Sequence, residues 1–265
     1  MLPDRQQLCA LIRNIAQQEI APRFNRITHS YKADGSVLTE ADLAVQSSLQ
    51  QALQQQWPAY AFLGEEMPPA QQTHMLQTSE QGLWILDPID GTSNFAAGIP
   101  HFGVSLALLI KKEIVLGIVY DPMRDECFSA VRAQGAWLND EPIQNLHNES
   151  IKTARIGIVD YKRLAPQLAA RLASVPPYSS QRSFGSVALD WCWLAAGRGH
   201  VYLHGKQNLW DFAAGWLIFT EAGGQSCTLQ GEAVFNNTLT PRSALAALDK
   251  NMFTDWKEWV LNSQA

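Results

Sequence analysis

The sequence predicts an α+β fold in which helices cover two β-sheets. Apolar residues recur at helical spacing over residues 4–21 and again from 39 to 57, which predicts two N-terminal helices. Four short β-rich segments over residues 102–139, separated by polar turns, predict an antiparallel meander. After that, strand-like and helix-like segments alternate, which predicts a second, smaller sheet. We therefore expect an N-terminal half, residues 1–150, and a C-terminal half, residues 151–265.

Composition limits the classes of function. The chain has 265 residues, of which 46% are hydrophobic, a value typical of a globular protein. The formal net charge is −5 and no basic run is present, which argues against a nucleic acid or a membrane as the partner. The apolar runs are far shorter than the roughly 20 residues that cross a bilayer, and no signal peptide is visible. The four scattered cysteines indicate free thiols, so we expect a cytoplasmic protein.

Local signals mark the elements of the first half. Pro22 lies where the first helix should stop, and residues 39–42, Thr-Glu-Ala-Asp, resemble a capping box at the start of the second helix. Residues 61–63 are a short strand candidate that ends in Gly-Glu-Glu. Residues 67–82 are polar and contain Pro68-Pro69, so we expect a mobile loop beside the site.

The remaining elements follow from apolar runs between turn residues. Lys111-Lys112-Glu113 separates two apolar runs, which predicts a hairpin. The strands of the meander are predicted at residues 102–110, 114–120, 126–131 and 135–139. In the second half, strands are predicted at 154–159, 178–184, 201–203 and 243–248, and helices at 164–172, 187–196, 209–222 and 252–261.

The most informative stretch is an apolar run, residues 83–86, that ends in two carboxylates three residues apart. Asp87 and Asp90 can share hard cations, which prefer oxygen ligands. Pro88 fixes one backbone angle and favours an extended conformation for the residue before it. The turn can also present the Ile89 carbonyl as a third oxygen. The end of this strand therefore predicts a cation site.

The residues after Asp90 suit a phosphate. Gly91 lets the backbone approach a ligand closely, and the amides of Gly91, Thr92 and Ser93 lie at a predicted helix N-terminus, which attracts anions. A plainer interpretation is an ordinary Asp-Pro and Asp-Gly turn followed by a helix cap. If both sites exist they are adjacent, as hydrolysis of a phosphate ester requires.

Residues 87–95, Asp-Pro-Ile-Asp-Gly-Thr-Ser-Asn-Phe, resemble the first sequence motif of the inositol monophosphatase family. Residues 210–215, Trp-Asp-Phe-Ala-Ala-Gly, followed by Glu-Ala-Gly-Gly at 221–224, resemble its second motif. The similarity covers nearly the whole chain. It implies the layered α/β/α/β/α sandwich of the sugar phosphatases, with a mixed meander sheet and a smaller second sheet. It also implies a Mg²⁺-dependent, lithium-sensitive phosphatase that forms a homodimer.

The resemblance also implies roles for single residues. Two or three Mg²⁺ ions, with Mn²⁺ as a substitute, would be held by oxygen atoms alone, which favours these ions over zinc. The expected metal ligands are Glu65, Asp87, the Ile89 carbonyl, Asp90 and Asp211. Glu65 and Thr92 would orient the attacking water, and Asp42 would hold Thr92. The family also has a lysine where this chain has Lys32.

Plainer interpretations of three of these acids remain open. Glu65 could belong to a charged loop, Asp42 to a helix cap, and Asp211 to the cap of another helix. The resemblance favours a role in the site for each of them.

The resemblance leaves the substrate open. The expected substrate contacts are Asp90, Gly91, Thr92, Ser93, Gly185, Ser186, Val187 and His204. The 185–187 segment could instead be only a strand-to-helix turn. The family places a Glu shortly before the Trp-Asp motif, but residues 203–210 contain no acid, so His204 or Lys206 would replace it. We expect inositol 1-phosphate, with histidinol phosphate, 3′-phosphoadenosine 5′-phosphate and fructose 1,6-bisphosphate as alternatives. A regulatory binding partner with a vestigial site is the alternative from another class.

Overall fold

A computed structural model describes residues 2–24, 29–31, 37–143 and 156–262. The helices are α1 (Arg5–Glu19), α2 (Glu40–Gln56), α3 (Pro69–Thr78), α4 (Thr92–Ala96), α5 (Pro166–Ser174), α6 (Val187–Ala195), α7 (Leu209–Glu221) and α8 (Lys250–Leu261). The strands are β1 (His29–Tyr31), β2 (Val37–Thr39), β3 (Ala61–Gly64), β4 (Leu83–Asp90), β5 (Gly103–Ile110), β6 (Glu113–Asp121), β7 (Glu126–Val131), β8 (Gly135–Leu138), β9 (Glu141–Pro142), β10 (Ile156–Asp160), β11 (Ser180–Arg182), β12 (Val201–Gln207), β13 (Gln225–Cys227) and β14 (Arg242–Ala247).

The strands form two main sheets and one short pair. Seven strands pair in the order β3-β4-β5-β6-β7-β8-β9, and five pair in the order β11-β10-β12-β14-β13. In the larger sheet β3 and β4 are parallel, whereas all later neighbours are antiparallel, as predicted for a meander. β1 and β2 form a separate antiparallel pair.

Three hydrophobic clusters hold the layers together. The first lies between α1, α2 and one face of the seven-stranded sheet. The second places α6 and α7 between the two sheets, and the third packs α5 and α8 on the outer face of the five-stranded sheet. The order is therefore α/β/α/β/α, and the predicted fold class is confirmed. The predicted boundary between the halves, near residue 150, falls outside the described residues and stays a prediction.

The first two helices start and stop as the sequence indicates. Asp4 caps α1, because its side chain accepts a hydrogen bond from the Gln7 amide. The predicted capping box of α2 is formed, with the Thr39 amide donating to the Asp42 carboxylate at 2.8 Å. Lys32 and the rest of the turn over 32–36 lie outside the described residues.

The mobile loop predicted for residues 67–82 is wrong, because Pro69–Thr78 forms helix α3. Proline is well tolerated in the first turn of a helix, and the Ala, Gln, Met and Leu residues that follow favour helix. The Gln72 side chain also donates to the carbonyls of Gly64 at 3.0 Å and Glu65 at 2.9 Å. The helix is therefore fixed to the end of β3.

In the second half, β12 differs most from its prediction. The predicted strand covered only residues 201–203, whereas β12 extends to Gln207 and takes His204 into the sheet. Polar residues interrupted the apolar pattern there, which is why the extension was missed. The strand predicted over 178–184 is limited to Ser180–Arg182, and a short 3₁₀ turn, Tyr161–Arg163, precedes α5.

Other features of the described chain agree with the sequence. All four cysteines are free and buried. Across the described ranges, every helix lacks the length or the apolar character needed to cross a membrane.

Candidate active site

A pocket of about 740 Å³ lies between the two sheets, beside the ends of β3 and β4 and the starts of α6 and α7. Acidic side chains from separate elements line it, namely Glu65, Asp87, Asp90 and Asp211. Other predicted site residues in its wall are Ile89, Gly91, Thr92, Ser93, Gly185, Ser186, Val187 and His204. Asp42 lies behind the wall. The structure therefore brings the predicted site residues together around one cavity.

Parallel pairing places Glu65 beside Asp87. β3 and β4 run in register, with Gly64 opposite Leu86, and the Glu65 amide donates to the Leu86 carbonyl at 3.0 Å. β3 ends at Gly64, whereas β4 continues to Asp90, so the two strands do not end together as expected. The register that pairs Gly64 with Leu86 nevertheless brings Glu65, the residue after β3, next to Asp87 within β4.

An irregularity in β4 sets the direction of its two acids. The β4–β5 register shifts between Asp87, opposite Ser105, and Asp90, opposite Gly103. Within this segment the Ile89 amide donates to Oδ1 of Asp87 at 3.1 Å. The bulge makes room for both carboxylates to reach the same pocket.

Gly91 connects β4 to α4 in a conformation that favours glycine, with φ of 96°. A Cβ atom at this position would lie 3.1 Å from the His101 carbonyl oxygen and 3.2 Å from that of Gly185. The turn is therefore both left-handed and tightly enclosed. It is followed by α4, which has only five residues.

Asp90 connects the end of β4 to the start of α6. Its Oδ2 accepts hydrogen bonds from the Ser186 hydroxyl at 2.5 Å and from the Ala188 amide at 2.7 Å, both at the start of α6. Burial raises the pKa of Asp90 to about 7, although these two hydrogen bonds act in the opposite direction. Asn94 makes a second connection, since its amide donates to the carbonyls of His101 and Phe184.

Asp211 also both lines the pocket and accepts a hydrogen bond at the start of α7. Its Oδ2 accepts from the Asn208 amide at 2.8 Å in a capping box, so the plainer interpretation of this residue is also fulfilled. Desolvation raises its pKa well above the usual value, and the charges of Asp90 and Glu65 add to the effect. The pKa of Asp87 is raised well above the usual value by the same causes: burial first, then the neighbouring acids.

This donor set fits a hard cation. The protein hydrogen bonds described above use Oδ1 of Asp87 and Oδ2 of Asp90 and Asp211, so each carboxylate is oriented through one oxygen. Positive charge between the acids would relieve the repulsion that adds to the effect of burial on their pKa values. Within the described ranges, no three Asp, Glu, His or Cys side chains are placed so that they could hold one metal ion. The acids share a pocket instead.

Thr92 lies between the Ile89 carbonyl and Asp42. Its hydroxyl is 2.9 Å from the carbonyl oxygen and 3.3 Å from Oδ1 of Asp42. The other oxygen of Asp42 accepts from the Thr39 hydroxyl at 2.6 Å, so this buried acid is held by its own capping box. Asp42 is thus both the helix cap of the plainer interpretation and the neighbour of Thr92 that the resemblance implied.

The wall of the pocket formed by the five-stranded sheet contains His204 and Asp160. The sequence analysis predicted His204 as a site residue but not Asp160. His204 lines the pocket and its Nε2 lies 3.1 Å from Oδ2 of Asp160, which also lines the pocket. Arg163 is a third lining residue, with NH1 3.1 Å from the same oxygen. Lys206, the other sequence candidate, is exposed and its side chain does not line the pocket.

Asp160 could have been found by the argument that found Asp87, since each acid lies where an apolar strand ends. Hydrogen bonding to His204 lowers the pKa of Asp160 to about 2 despite the opposing effect of burial, and the charge of Arg163 adds to the lowering. Asp190 was also missed, because it lies inside the apolar helix α6. Its Oδ1 has no hydrogen-bond partner among the described residues, and burial raises its pKa well above the usual value.

Comparison with known proteins identifies the family. A sequence model of the inositol monophosphatase family matches residues 3–261. The chain belongs to the inositol monophosphatase family. The family resemblance predicted from the two sequence motifs is therefore confirmed, and membership of the family supports a phosphatase.

Individual members of the inositol monophosphatase family show how far the similarity extends. Inositol monophosphatase 1 of Solanum lycopersicum is 36% identical over 216 residues, which cover 79% of this chain and 78% of the relative. Nus factor SuhB of Pasteurella multocida is 33% identical over 214 residues, 79% of this chain and 78% of the relative. A crystal structure of inositol monophosphatase II of Staphylococcus aureus with inositol monophosphate bound matches with a TM-score of 0.76 at 26% identity, covering 97% of this chain and 90% of that one.

Proposed function

We propose that this protein is a Mg²⁺-dependent phosphomonoesterase that hydrolyses inositol 1-phosphate to inositol and phosphate. The observation that carries the proposal is the convergence of Glu65, Asp87, Asp90 and Asp211 on one pocket beside the Gly91 turn. Acids arranged this way repel one another, so they are useful to a protein that binds cations there.

The residues that would hold Mg²⁺, or Mn²⁺ as a substitute, are Glu65, Asp87, Asp90, Asp211 and the Ile89 carbonyl. All of them offer oxygen atoms, and none is His or Cys, which suits these ions rather than zinc. When bound, two or three such ions supply a more acidic water and neutralise charge on the leaving oxygen.

The chain's own residues would then position the phosphate and the water. The first amides of a helix have no partner inside the helix, so those of Thr92 and Ser93 are available to phosphate oxygens, next to the Gly91 turn. Because α4 has five residues, these individual amides count for more than a helix dipole. Thr92 and Glu65 would orient the attacking water, and Asp42 would orient Thr92 through the 3.3 Å contact.

Two observations support inositol phosphate as the substrate. The similar proteins include one named inositol monophosphatase, and a similar solved structure holds inositol monophosphate. Histidinol phosphate, 3′-phosphoadenosine 5′-phosphate and fructose 1,6-bisphosphate remain the competing esters. Lithium sensitivity, a homodimer, a cytoplasmic location and the division into halves belong to the same proposal as predictions.

One observation favours a second candidate function. A similar protein carries the name Nus factor SuhB, so a regulatory binding role is the alternative. In that case the pocket would be vestigial and would not release phosphate.

The deciding experiment measures phosphate release from the four esters, with Mg²⁺ and with EDTA. We expect turnover that requires Mg²⁺ and prefers inositol 1-phosphate. Asp87→Asn should lower kcat by roughly 10³-fold, because it removes one charge from the centre of the site. The matched control is Asp4→Asn, which keeps a good N-cap residue at α1 far from the pocket and should leave turnover unchanged.

Each outcome decides between the candidates. Turnover that is lost in Asp87→Asn supports the phosphatase. Preference for another ester keeps the chemistry and rejects inositol 1-phosphate as the substrate. A folded wild-type protein that releases no phosphate from any ester with Mg²⁺ rejects the enzyme and favours the regulatory role.

A further inference from the structure

We propose that Asp160 and Arg163 bind the leaving group and that His204 positions Asp160. The pair of Asp160 and Arg163 would select a neutral leaving group with several hydroxyls. The inference rests on the proposed phosphatase function and deepens it. It assigns the acid that residues 203–210 lack to another strand, β10.

The register of the smaller sheet brings these residues together. β10 and β12 are parallel neighbours, and Asp160 at the end of β10 is directly opposite His204. Parallel strands end at the same edge, and here that edge forms one wall of the pocket. Asp160 therefore lines the pocket directly beside His204.

His204 acts through Asp160 because both of its ring nitrogens are engaged. Nδ1 accepts from the Lys206 amide at 3.3 Å, which leaves the proton on Nε2, 3.1 Å from Asp160. The residue is only 3% exposed. It is therefore a positioning residue that fixes the carboxylate, with no polar hydrogen left over for a ligand in the neutral form.

Asp160 keeps capacity for a ligand. Oδ2 accepts from His204 and Arg163, whereas Oδ1 accepts from the Lys162 amide at 2.8 Å. A carboxylate has about four acceptor positions, so Oδ1 retains one. Arg163 is a planar cation with five donor hydrogens, and its side chain is 45% exposed.

Close packing holds this wall in place. A Cβ atom on Gly205 would lie 1.8 Å from the Arg163 carbonyl oxygen. The absence of a side chain at 205 thus lets the turn that carries Arg163 approach β12 closely. This approach places Arg163 close to the strand that carries His204.

Charge balance indicates the chemical class of the leaving group. The Arg163 charge is paired with Asp160, so a second phosphate would meet no excess positive charge, and an ammonium no excess negative charge. The pair offers an acceptor and several donors side by side. A hydroxyl is both donor and acceptor, so adjacent hydroxyls on a neutral ring match it best.

The test compares two esters in wild-type and variant proteins with Mg²⁺. Inositol 1-phosphate carries hydroxyls on its leaving group, whereas phenyl phosphate carries none. We expect Asp160→Asn to raise KM for inositol 1-phosphate by roughly 10–100-fold, because hydrogen bonds to a charged acceptor are lost, while kcat and the KM for phenyl phosphate change little. His204→Ala should raise the same KM, and the double variant should be no worse than Asp160→Asn alone.

The matched control is Asp140→Asn. Asp140 pairs with Arg5 at 2.7 Å outside the pocket. Its substitution should therefore change neither KM nor kcat for either ester. The inference is overturned if Asp160→Asn leaves KM for inositol 1-phosphate unchanged, or if it harms both esters equally. It is also overturned if wild type prefers fructose 1,6-bisphosphate or histidinol phosphate. A wild-type protein that hydrolyses neither test ester rejects the proposed function, and the inference is rejected with it.

Discussion

Acids at the two ends of the pocket have opposite surroundings. At the phosphate end, burial and neighbouring acids raise the pKa values of Asp87, Asp90 and Asp211. At the leaving-group end, His204 and Arg163 lower that of Asp160 to about 2. The first group of acids lies beside other acids, whereas Asp160 is paired with the positive charge of Arg163.

The difference separates binding of ions from recognition of neutral groups. When carboxylates with raised pKa values ionise, the folded protein loses stability. A cation that binds between them restores that stability. A carboxylate already paired with a cation gains little from a further ion. Under the two proposals above, the same residue type would serve two purposes in one cavity, and its surroundings would decide which.

The largest expected effect is on the melting temperature, which should change in opposite directions when an acid is removed from one end or from the other. Asp87→Asn removes an acid whose ionised form is disfavoured first by burial and then by the charges of the neighbouring acids. It should therefore raise the melting temperature in EDTA and remove most of the increase produced by Mg²⁺. Asp160→Asn breaks the pair with His204 and should lower the melting temperature by the equivalent of roughly 1–2 kcal/mol at pH 7.

Melting curves by circular dichroism, with EDTA and with Mg²⁺, measure both changes. The Asp140→Asn variant serves as the reference for an exposed pair. If Asp87→Asn were less stable than wild type in EDTA, the phosphate end would not be the repulsive cluster described above.

A smaller effect is expected from pH in EDTA. The pKa of Asp90, about 7, lies above its unfolded value, so its contribution to stability is complete below about pH 4 and is lost as pH rises through 7. Between pH 5 and pH 8 the free energy of unfolding should therefore fall by about 2 kcal/mol, which lowers the melting temperature by about 4–8 °C. Asp160 does not offset this, because its lowered pKa adds stability only as pH rises from about 2 to 4.

Mg²⁺ provides the check on this pH effect. With saturating Mg²⁺ the fall should be smaller, since the cation holds the acids ionised at every pH in the range. A melting temperature in EDTA that stays flat from pH 5 to pH 8 would contradict the raised pKa of Asp90.

The last effect is expected at Gly205. Its Cβ would lie 1.8 Å from the backbone carbonyl oxygen of Arg163, so Gly205→Ala must displace the Arg163 turn, at a cost of about 3 kcal/mol. KM for inositol 1-phosphate should rise, while turnover of phenyl phosphate stays the same. Gly199→Ala is the control for crowding, since its Cβ would meet only side-chain atoms, of Ile158 at 2.7 Å and of Leu194 at 3.6 Å, and neither residue lines the pocket.

A comparable change in both glycine variants would show that crowding in the sheet, not the position of the turn, affects KM. A change limited to Gly205→Ala would confirm that the leaving-group end is set by close packing.

The two ends also differ in how much the sequence predicts. Much of the proposed metal and phosphate end could be predicted, because Glu65 and Asp87 follow apolar runs and because β3 and β4 are consecutive strands of the chain. The leaving-group end depends on the register of β10 against β12, strands separated by α5, β11 and α6. No pattern within either strand predicts which residue of one is opposite which residue of the other.

Two other misses have local causes. Helix α3 was predicted to be a loop because Pro68-Pro69 indicates a break, yet proline is suited to the first turn of a helix. Asp190 was missed because a single acid in an apolar helix has no partner within the sequence pattern. For α3, the contact of Gln72 with the end of β3 adds a tertiary interaction that no local pattern shows.

The placement of Asp160 on β10 also matters for how such a protein diverges. The acids of the phosphate end are carried by other segments of the chain, so the turn over residues 160–163 can change without altering any of them. New substrates can therefore be acquired by drift in one short turn while the chemistry is inherited intact. For an engineer, that turn and the facing residue 204 form a compact library for redirecting the enzyme to other phosphate esters.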